Sequence, residues 1–370
     1  MIERDHLQVY ELTLTTKGLV HIGSGRKLPR KEYIFTGSRQ RPMVAFLDEQ
    51  AFFDMLIQNE LVDAFEMYCM QPGGDLSTFL FKDCRLTREQ VKPAILYEVN
   101  ASDAMDEEHS LKDIECFMRD AHQRAYIPGS SVKGAIRTAM LFSLLSKEPV
   151  HKDFPRKKGF DIKTSYLPEE GYFNTLGLTD PRRAGDAVNS IMRGIQISDS
   201  QPIDNHNMAL ALKMDVMADG RINVINLCRE CAAPGTRIKF QMTLDQSILK
   251  GEWTVQKILQ AIEAFAKYQS SKYTGCFDIP LKCEQPTGRN ILMLGGGAGF
   301  FSKSLAYPYL GINDGLKYDG LKWTSKYLDA AFNKHKHWED EELGISPHTL
   351  KYGKYMQQLS AFGACEVMVR

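Results

Sequence analysis

Apolar and polar residues alternate well along residues 9–20. Tyr10, Leu12 and Leu14 fall on one face, and Glu11, Thr13 and Thr15 on the other. A period of two with one apolar face predicts a half-buried strand. The period returns at residues 235–244, with Ile238, Phe240, Met242 and Leu244 inward and Arg237, Lys239, Gln241 and Thr243 outward. It returns again at residues 363–370, where Cys365, Val367 and Val369 alternate. Shorter strands are predicted at 43–47, at 193–200, which carries Asp199 near its end, and at 222–228. A helical period takes over at 51–70 (Phe52, Met55, Leu56, Leu61), at 130–146 (Val132, Ile136, Met140, Leu144) and at 254–268 (Val255, Ile258, Leu259, Ile262, Phe265). Each places one apolar stripe toward a core. Residues 71–75 and 100–109 read as polar loops. Residues 147–183 show the weakest pattern and hold the basic cluster Lys152, Arg156, Lys157 and Lys158. That is long for a structureless connection, so it reads as a linker or functional loop. The order of elements predicts an α+β fold rather than a doubly wound parallel sheet. The expected division is 1–150, a linker at 151–185, and 186–370.

Composition narrows the function. The 370 residues are 43% hydrophobic and 25% charged, with Lys plus Arg and Asp plus Glu at 46 each. Zero net charge excludes a uniformly basic coat but leaves room for a local basic groove. The first six residues lack the apolar core of a signal peptide, and no apolar run of about 18 residues occurs. A cytoplasmic protein with no membrane partner is therefore expected. The eight cysteines are scattered and are expected to be reduced. Cys228 and Cys231 have the spacing of half a zinc site, but Cys276 and Cys283 do not supply a second C-x-x-C. No metal and no cofactor are expected. His335 and His337 lie in the charged segment 334–342 and are expected to be exposed rather than ligands.

Three glycine-containing segments carry the candidate chemistry. In Tyr126-Ile127-Pro128-Gly129-Ser130-Ser131-Val132-Lys133-Gly134-Ala135-Ile136-Arg137, a Pro-Gly turn runs into two serines able to cap a helix. A helix N-terminus offers unpaired N–H groups, and Lys133 and Arg137 on neighbouring turns can bracket a phosphate. The segment fails the Walker A pattern, because Lys133 precedes Gly134 and Ala135 follows it. The first strand runs into His21-Ile22-Gly23-Ser24-Gly25, then Arg26, Lys27, Arg30 and Lys31, read as a phosphate-facing loop. The third segment places Gly295, Gly296, Gly297 and Gly299 before Phe300, Phe301, Ser302, Lys303 and Ser304. Such a loop lets a ligand approach the backbone closely. The phenylalanines suit stacking on an unpaired base, and Lys303 suits a phosphate. A dinucleotide site is not read here. Asp314 lies at the right distance, but Pro308, Gly311 and Gly315 interrupt the helix that fingerprint requires.

In this order, the three segments resemble those of the RAMP superfamily of type III CRISPR effector complexes. The Pro128–Arg137 stretch is similar to the internal signature of that superfamily, and Gly295–Ser304 to its C-terminal glycine-rich loop. Length and the last loop, together with Arg229-Glu230-Cys231 and Pro234-Gly235-Thr236, are most similar to the fifth subunit of the type III-A Csm complex. The resemblance implies two ferredoxin-like, RRM-related modules with helical insertions. It implies a non-catalytic subunit that binds CRISPR RNA and caps the 3′-end side of the complex. It further implies packing on the neighbouring backbone subunit and support of 3′-end maturation by recruited cellular exonucleases. The RNA-contact candidates are His21, Gly23, Ser24, Gly25, Arg26 and Lys27 in the first segment. Gly129, Ser130, Ser131, Lys133, Gly134 and Arg137 follow in the second, and Gly295, Gly296, Gly297, Gly299, Phe300 and Lys303 in the third. Target-cutting relatives carry an acidic residue after the first glycine turn. Here Glu32 is the only carboxylate among four cations. His21 matches the general base of related processing nucleases but has no paired catalytic group in sequence. It reads as an RNA-contact or packing residue, and Asp199 is likewise a lone acid. The alternatives are a Cas6-like endoribonuclease using His21, or another type III backbone subunit.

Overall fold

The computed structural model describes residues 5–38, 40–101, 103–104, 113–147, 170–311 and 319–370. In chain order the strands are β1 (Leu7–Thr16), β2 (Gly23–Leu28), β3 (Tyr33–Ser38), β4 (Arg41–Leu47), β5 (Ile95–Asn100), β6 (Ile114–Phe117), β7 (Ile195–Ile197) and β8 (Met208–Met217). They continue with β9 (Ile222–Ala232), β10 (Arg237–Asp245), β11 (Cys283–Glu284), β12 (Ile291–Met293), β13 (Thr349–Tyr355), β14 (Gln358–Ala361) and β15 (Ala364–Val369).

The alternation that begins the sequence becomes the centre of a five-stranded sheet, ordered β12-β15-β1-β10-β7. Leu14 faces Ile238 on one side and Val367 on the other, so three apolar faces share one register. A one-residue slip would turn that whole face to water, which fixes the pairing. The helices Gly129–Leu145 and Val255–Lys272 join the same core through Val132, Ile136, Ile258 and Ile262. Phe142 meets Phe265 between them, with ring centroids 5.2 Å apart.

A larger sheet runs β11-β14-β13-β8-β5-β4-β3, and a branch through β9 and β6 reaches β2. Most of its ladders are antiparallel. This is the expected mixture of antiparallel sheet and packed helix. The chain does not divide in space as it was expected to divide in sequence. β1 pairs with β10 and β15, β5 with β8, and β6 with β9, so ladders join 1–150 to 186–370 throughout. Of the expected linker, residues 151–169 and their basic cluster lie outside the described residues. The remainder carries the turn Glu170–Phe173, whose Phe173 is buried in the main core.

Two local readings change. The helix expected over 51–70 is two helices, Glu49–Gln58 and Val62–Met70. Asn59 stops the first by donating its side-chain amide to the Met55 carbonyl at 2.8 Å, and Glu60 follows at φ +57°. The loop expected after His21 is β2, paired with β6 through a shifted register between Gly23 and Lys27. Lys31 turns its ammonium to the carbonyls of Tyr68 and Cys69, at 3.3 and 3.1 Å, and so terminates the Val62–Met70 helix.

Candidate nucleic-acid interface

The first and third glycine segments meet at His21. β1 ends at Thr16, and the chain then bridges successively to Phe362, Ala232 and Gly296. The Gly296 N–H donates to the His21 carbonyl at 2.7 Å. His21 itself is 4% exposed. Its Nδ1 lies 2.7 Å from the Glu230 carbonyl oxygen, and a carbonyl only accepts, so Nδ1 carries the proton. Burial holds the imidazole below its ordinary pKa, against the Glu230 bond that raises it and with the Arg229 charge that lowers it further. The neutral ring therefore leaves Nε2 as an acceptor.

Glycines here fit the protein to itself. Gly295 sits at φ +82°, and a Cβ there would stand 2.3 Å from the His21 carbonyl oxygen. At Gly297, φ +87°, it would stand 2.6 Å from the Arg229 Nη1. A Cβ on Gly23 would lie 3.0 Å from the His21 Nε2. Of the glycines in these two segments, Gly25 has nothing within 4 Å of such a Cβ and Gly299 meets only the Lys351 Cγ, at 3.9 Å.

Beneath this junction lies a buried charge network from β9. Successive residues of a strand face opposite ways. Arg229 pairs through Nε with Glu115 of β6 at 2.7 Å, and its buried Nη1 has no hydrogen-bond partner among the described residues. Glu230 forms an ion pair with Arg119, their side chains 0% and 7% exposed, and accepts the Phe117 N–H at 2.8 Å. Arg119 also lies over the Tyr97 ring at 3.6 Å. Lys303 donates to the Gly295 carbonyl at 2.9 Å, and burial and Arg229 push its pKa down. Sequence reasoning passed over Arg119, Glu115 and Glu230 as members of this site. The signal for Glu230 was an Arg-Glu pair inside the small apolar run Cys228–Ala233. Gly23, Ser24, Gly25, Arg26 and Lys27 are exposed along β2. Beside them a cavity of about 530 Å³ is lined by Arg26, Phe53, Phe65, Tyr97 and Arg119.

The second segment is held elsewhere. Neither serine caps the helix. Asp199 does so from outside, its Oδ1 accepting the Gly129 N–H at 2.9 Å. A Cβ on Gly129 would stand 2.2 Å from the Ile197 carbonyl, so this glycine admits β7 rather than a ligand. Ser130, Gly134 and Arg137 are exposed, and Ser131 and Lys133 half-buried. The Arg137 guanidinium lies 5.4 Å from the Phe173 ring. Burial and Arg137 hold the Lys133 ammonium below its ordinary pKa. The two phenylalanines also part company. Phe301 is buried and stacked on Tyr273 at 4.1 Å, which removes it from base stacking. Phe300 is half-buried against Tyr327, 5.6 Å away.

Cys228 and Cys231 are three apart on β9 and face opposite sides. Cys228 lies in the main core, Cys231 among Leu19, Ala211 and Phe362. Burial pushes the Cys228 thiol up to about 12. The histidine expectation is half corrected: His335 is exposed, but His337 is buried against Asp340.

With this geometry in place, comparison with known proteins identifies the family. The RAMP superfamily model matches residues 13–338.

The chain belongs to the RAMP superfamily.

Among its RAMP relatives is the CRISPR system Cms protein Csm5 of Mycobacterium tuberculosis, 29% identical over 99% of this chain and 98% of that protein. The Csm5 protein of Enterococcus italicus is 25% identical over 83% of this chain and 81% of its own. The fold is similar to a chain in a cryo-EM structure of a Csm–crRNA–target RNA ternary complex of a type III-A CRISPR-Cas system. That match has a TM-score of 0.57 and 18% identity, and covers 98% of this chain and all of the other. The crystal structure of T. onnurineus Csm5 matches with a TM-score of 0.55 and 17% identity over 96% and 99%. Among the described residues, no helix is long and apolar enough to cross a membrane.

Proposed function

We propose that this RAMP protein is the subunit of a type III-A Csm effector complex that binds CRISPR RNA and caps its 3′-end side. The observation that carries the reading is end-to-end similarity to Csm5 proteins, 99% of this chain against 98% of the Mycobacterium relative. The bridge between His21, just before β2, and Gly296 of the glycine loop supports it. We read the two sheets as two ferredoxin-like modules, each built from strands of both halves of the chain. Arg26 and Lys27 on β2, Lys133 and Arg137 on the Gly129–Leu145 helix, and Lys303 after the loop are the phosphate contacts, with the glycine segments framing the path. The neighbouring backbone subunit packs on this protein, and recruited cellular 3′ exonucleases trim the RNA it leaves exposed.

The subunit does not cut RNA itself. His21 is nearly inaccessible, its Nδ1 is committed to a backbone carbonyl, and Glu115 and Glu230 are both engaged by arginines. A general base needs reach to the proton it removes. The test is co-expression of the complex with a CRISPR array, with and without this gene, followed by sequencing of the bound RNA. Over-long 3′ ends in its absence are expected. Normal mature RNA would remove the capping role. Failed repeat cleavage, restored by wild type but not by His21→Ala, would favour the endoribonuclease instead.

A further inference from the structure

Away from the glycine junction, residues 337–348 wrap around one buried carboxylate. Asp340 has no exposed surface. Its Oδ2 lies 3.0 Å from His337 Nδ1 and accepts the Ser346 hydroxyl at 2.6 Å. Its Oδ1 lies 2.5 Å from His348 Nδ1. The two imidazole centroids are 5.1 Å apart, and their side chains are 10% and 13% exposed. One donor atom from each of the three residues lies within 4.8 Å of the others. The shell around them is polar and fixed. Tyr307 accepts the Ser346 N–H and donates to the Ser346 carbonyl, and Tyr273 donates to the Pro347 carbonyl.

A carboxylate taken fully out of water needs a positive charge beside it. Among the described residues, the recorded ion-pair partners of Asp340 are the two imidazoles, with no lysine or arginine. Two neutral imidazoles and one carboxylate form a donor set of net charge −1, converging from three positions in a short stretch of chain. We propose that His337, Asp340 and His348 bind one divalent transition metal ion of the zinc type. Imidazole nitrogen with a single carboxylate favours zinc, cobalt or nickel over magnesium or calcium, which take oxygen shells. Bonds of about 2.0–2.2 Å in a tetrahedron hold neighbouring donors roughly 3.3 Å apart, so donors now within 4.8 Å of one another need to shift by no more than about 1.5 Å. Water takes the fourth position through the partly exposed histidine edges. The ion fastens the turn at His337–Leu343 to the start of β13, and the Ser346 hydroxyl orients the carboxylate from behind.

The proposal is independent of RNA binding and is tested on the full chain without RNA, its affinity tag removed. Elemental analysis after expression in zinc-supplemented medium is expected to give about one zinc per chain. Stripping with a chelator should lower the melting temperature, and Zn²⁺ alone should restore it. Co²⁺ added to the stripped protein should give the strong visible band of a tetrahedral site. His348→Gln should abolish that band, and Ser346→Ala should weaken Zn²⁺ binding by roughly tenfold. Metal-free protein with no cobalt band and no thermal response to zinc would overturn the proposal, leaving a hydrogen-bonded carboxylate balanced by a proton. Undiminished metal in His348→Gln would overturn it too, by placing the ion elsewhere. Should that variant not fold, the cobalt titration of the wild-type chain decides.

Discussion

Breaking the Arg119–Glu230 pair should cost different amounts from its two ends. Removing one partner of a buried pair costs about 3–5 kcal/mol, because the other charge is left buried and uncompensated. In Glu230→Gln the stranded charge is Arg119, which keeps the Gln123 carbonyl at 2.7 Å, the Asn205 side-chain oxygen at 3.0 Å and the Tyr97 face. Its loss should lie near the lower end, about 3 kcal/mol. In Arg119→Met the stranded group is a carboxylate with no exposed surface and, among the described residues, only the Phe117 N–H against it. That loss should lie near the upper end, about 5 kcal/mol. The double variant removes both charges, so it should be destabilised by clearly less than the sum of the two. Urea unfolding of the four proteins, followed by two probes to establish one cooperative transition, measures each value. Additive losses, or a cost below about 1 kcal/mol for Arg119→Met, would refute a coupled buried pair.

Three further outcomes follow from the same geometry. His21 is held below its ordinary pKa in the folded state, so on acidification from pH 7 the unfolded chain takes up the proton first; wild type should lose stability between about pH 6.5 and the lowered value, and His21→Asn should lose less over that window, as thermal melts across pH would reveal. Lys133→Ala with Arg137→Ala should weaken single-stranded RNA binding and flatten the plot of log affinity against log salt by about 1.4, and an unchanged slope would remove both as phosphate contacts. Gly129→Ala places a methyl 2.2 Å from a backbone oxygen that cannot rotate away, so the helix must shift, at a cost of about 1–3 kcal/mol in denaturant unfolding, while Gly134→Ala, with nothing near it, should be neutral or stabilising.

What the sequence disclosed depended on how many faces of an element are buried. β1, β10 and β15 have one wet face, so their alternation was readable and the register follows from it. β8 is buried along nearly all of Met208–Leu212, shows no alternation there, and went unnoticed. β3, β5, β6, β13 and β14 were missed as well, and β6 is almost wholly buried across only four residues. The break at Asn59 was invisible because both flanking helices keep an apolar stripe. At the site, motif reading found the glycines but misassigned what several of them admit. Gly129, Gly295 and Gly297 make room for a carbonyl, a carbonyl and a guanidinium of the same chain. Asp199 looked like a stray acid, because the N–H it caps lies far off in sequence. His337 looked solvated because its neighbours are charged. Its partner Asp340 is only three residues on, but the fold that seals both from water is not written locally.

The central position of β1 has a consequence for how the protein comes to exist. Its partners β10 and β15 lie far downstream of it and are synthesised long after it. Contacts so distant along the chain close slowly, because loop entropy is spent before any pairing rewards it. Until β10 has been made, β1 is an unpaired apolar-faced strand, the kind of edge that invites wrong partners. The His21–Gly296 bridge spans a similar distance along the chain, so it too closes late. The fold thereby orders events in time: the five-stranded sheet is complete only once synthesis has reached β15.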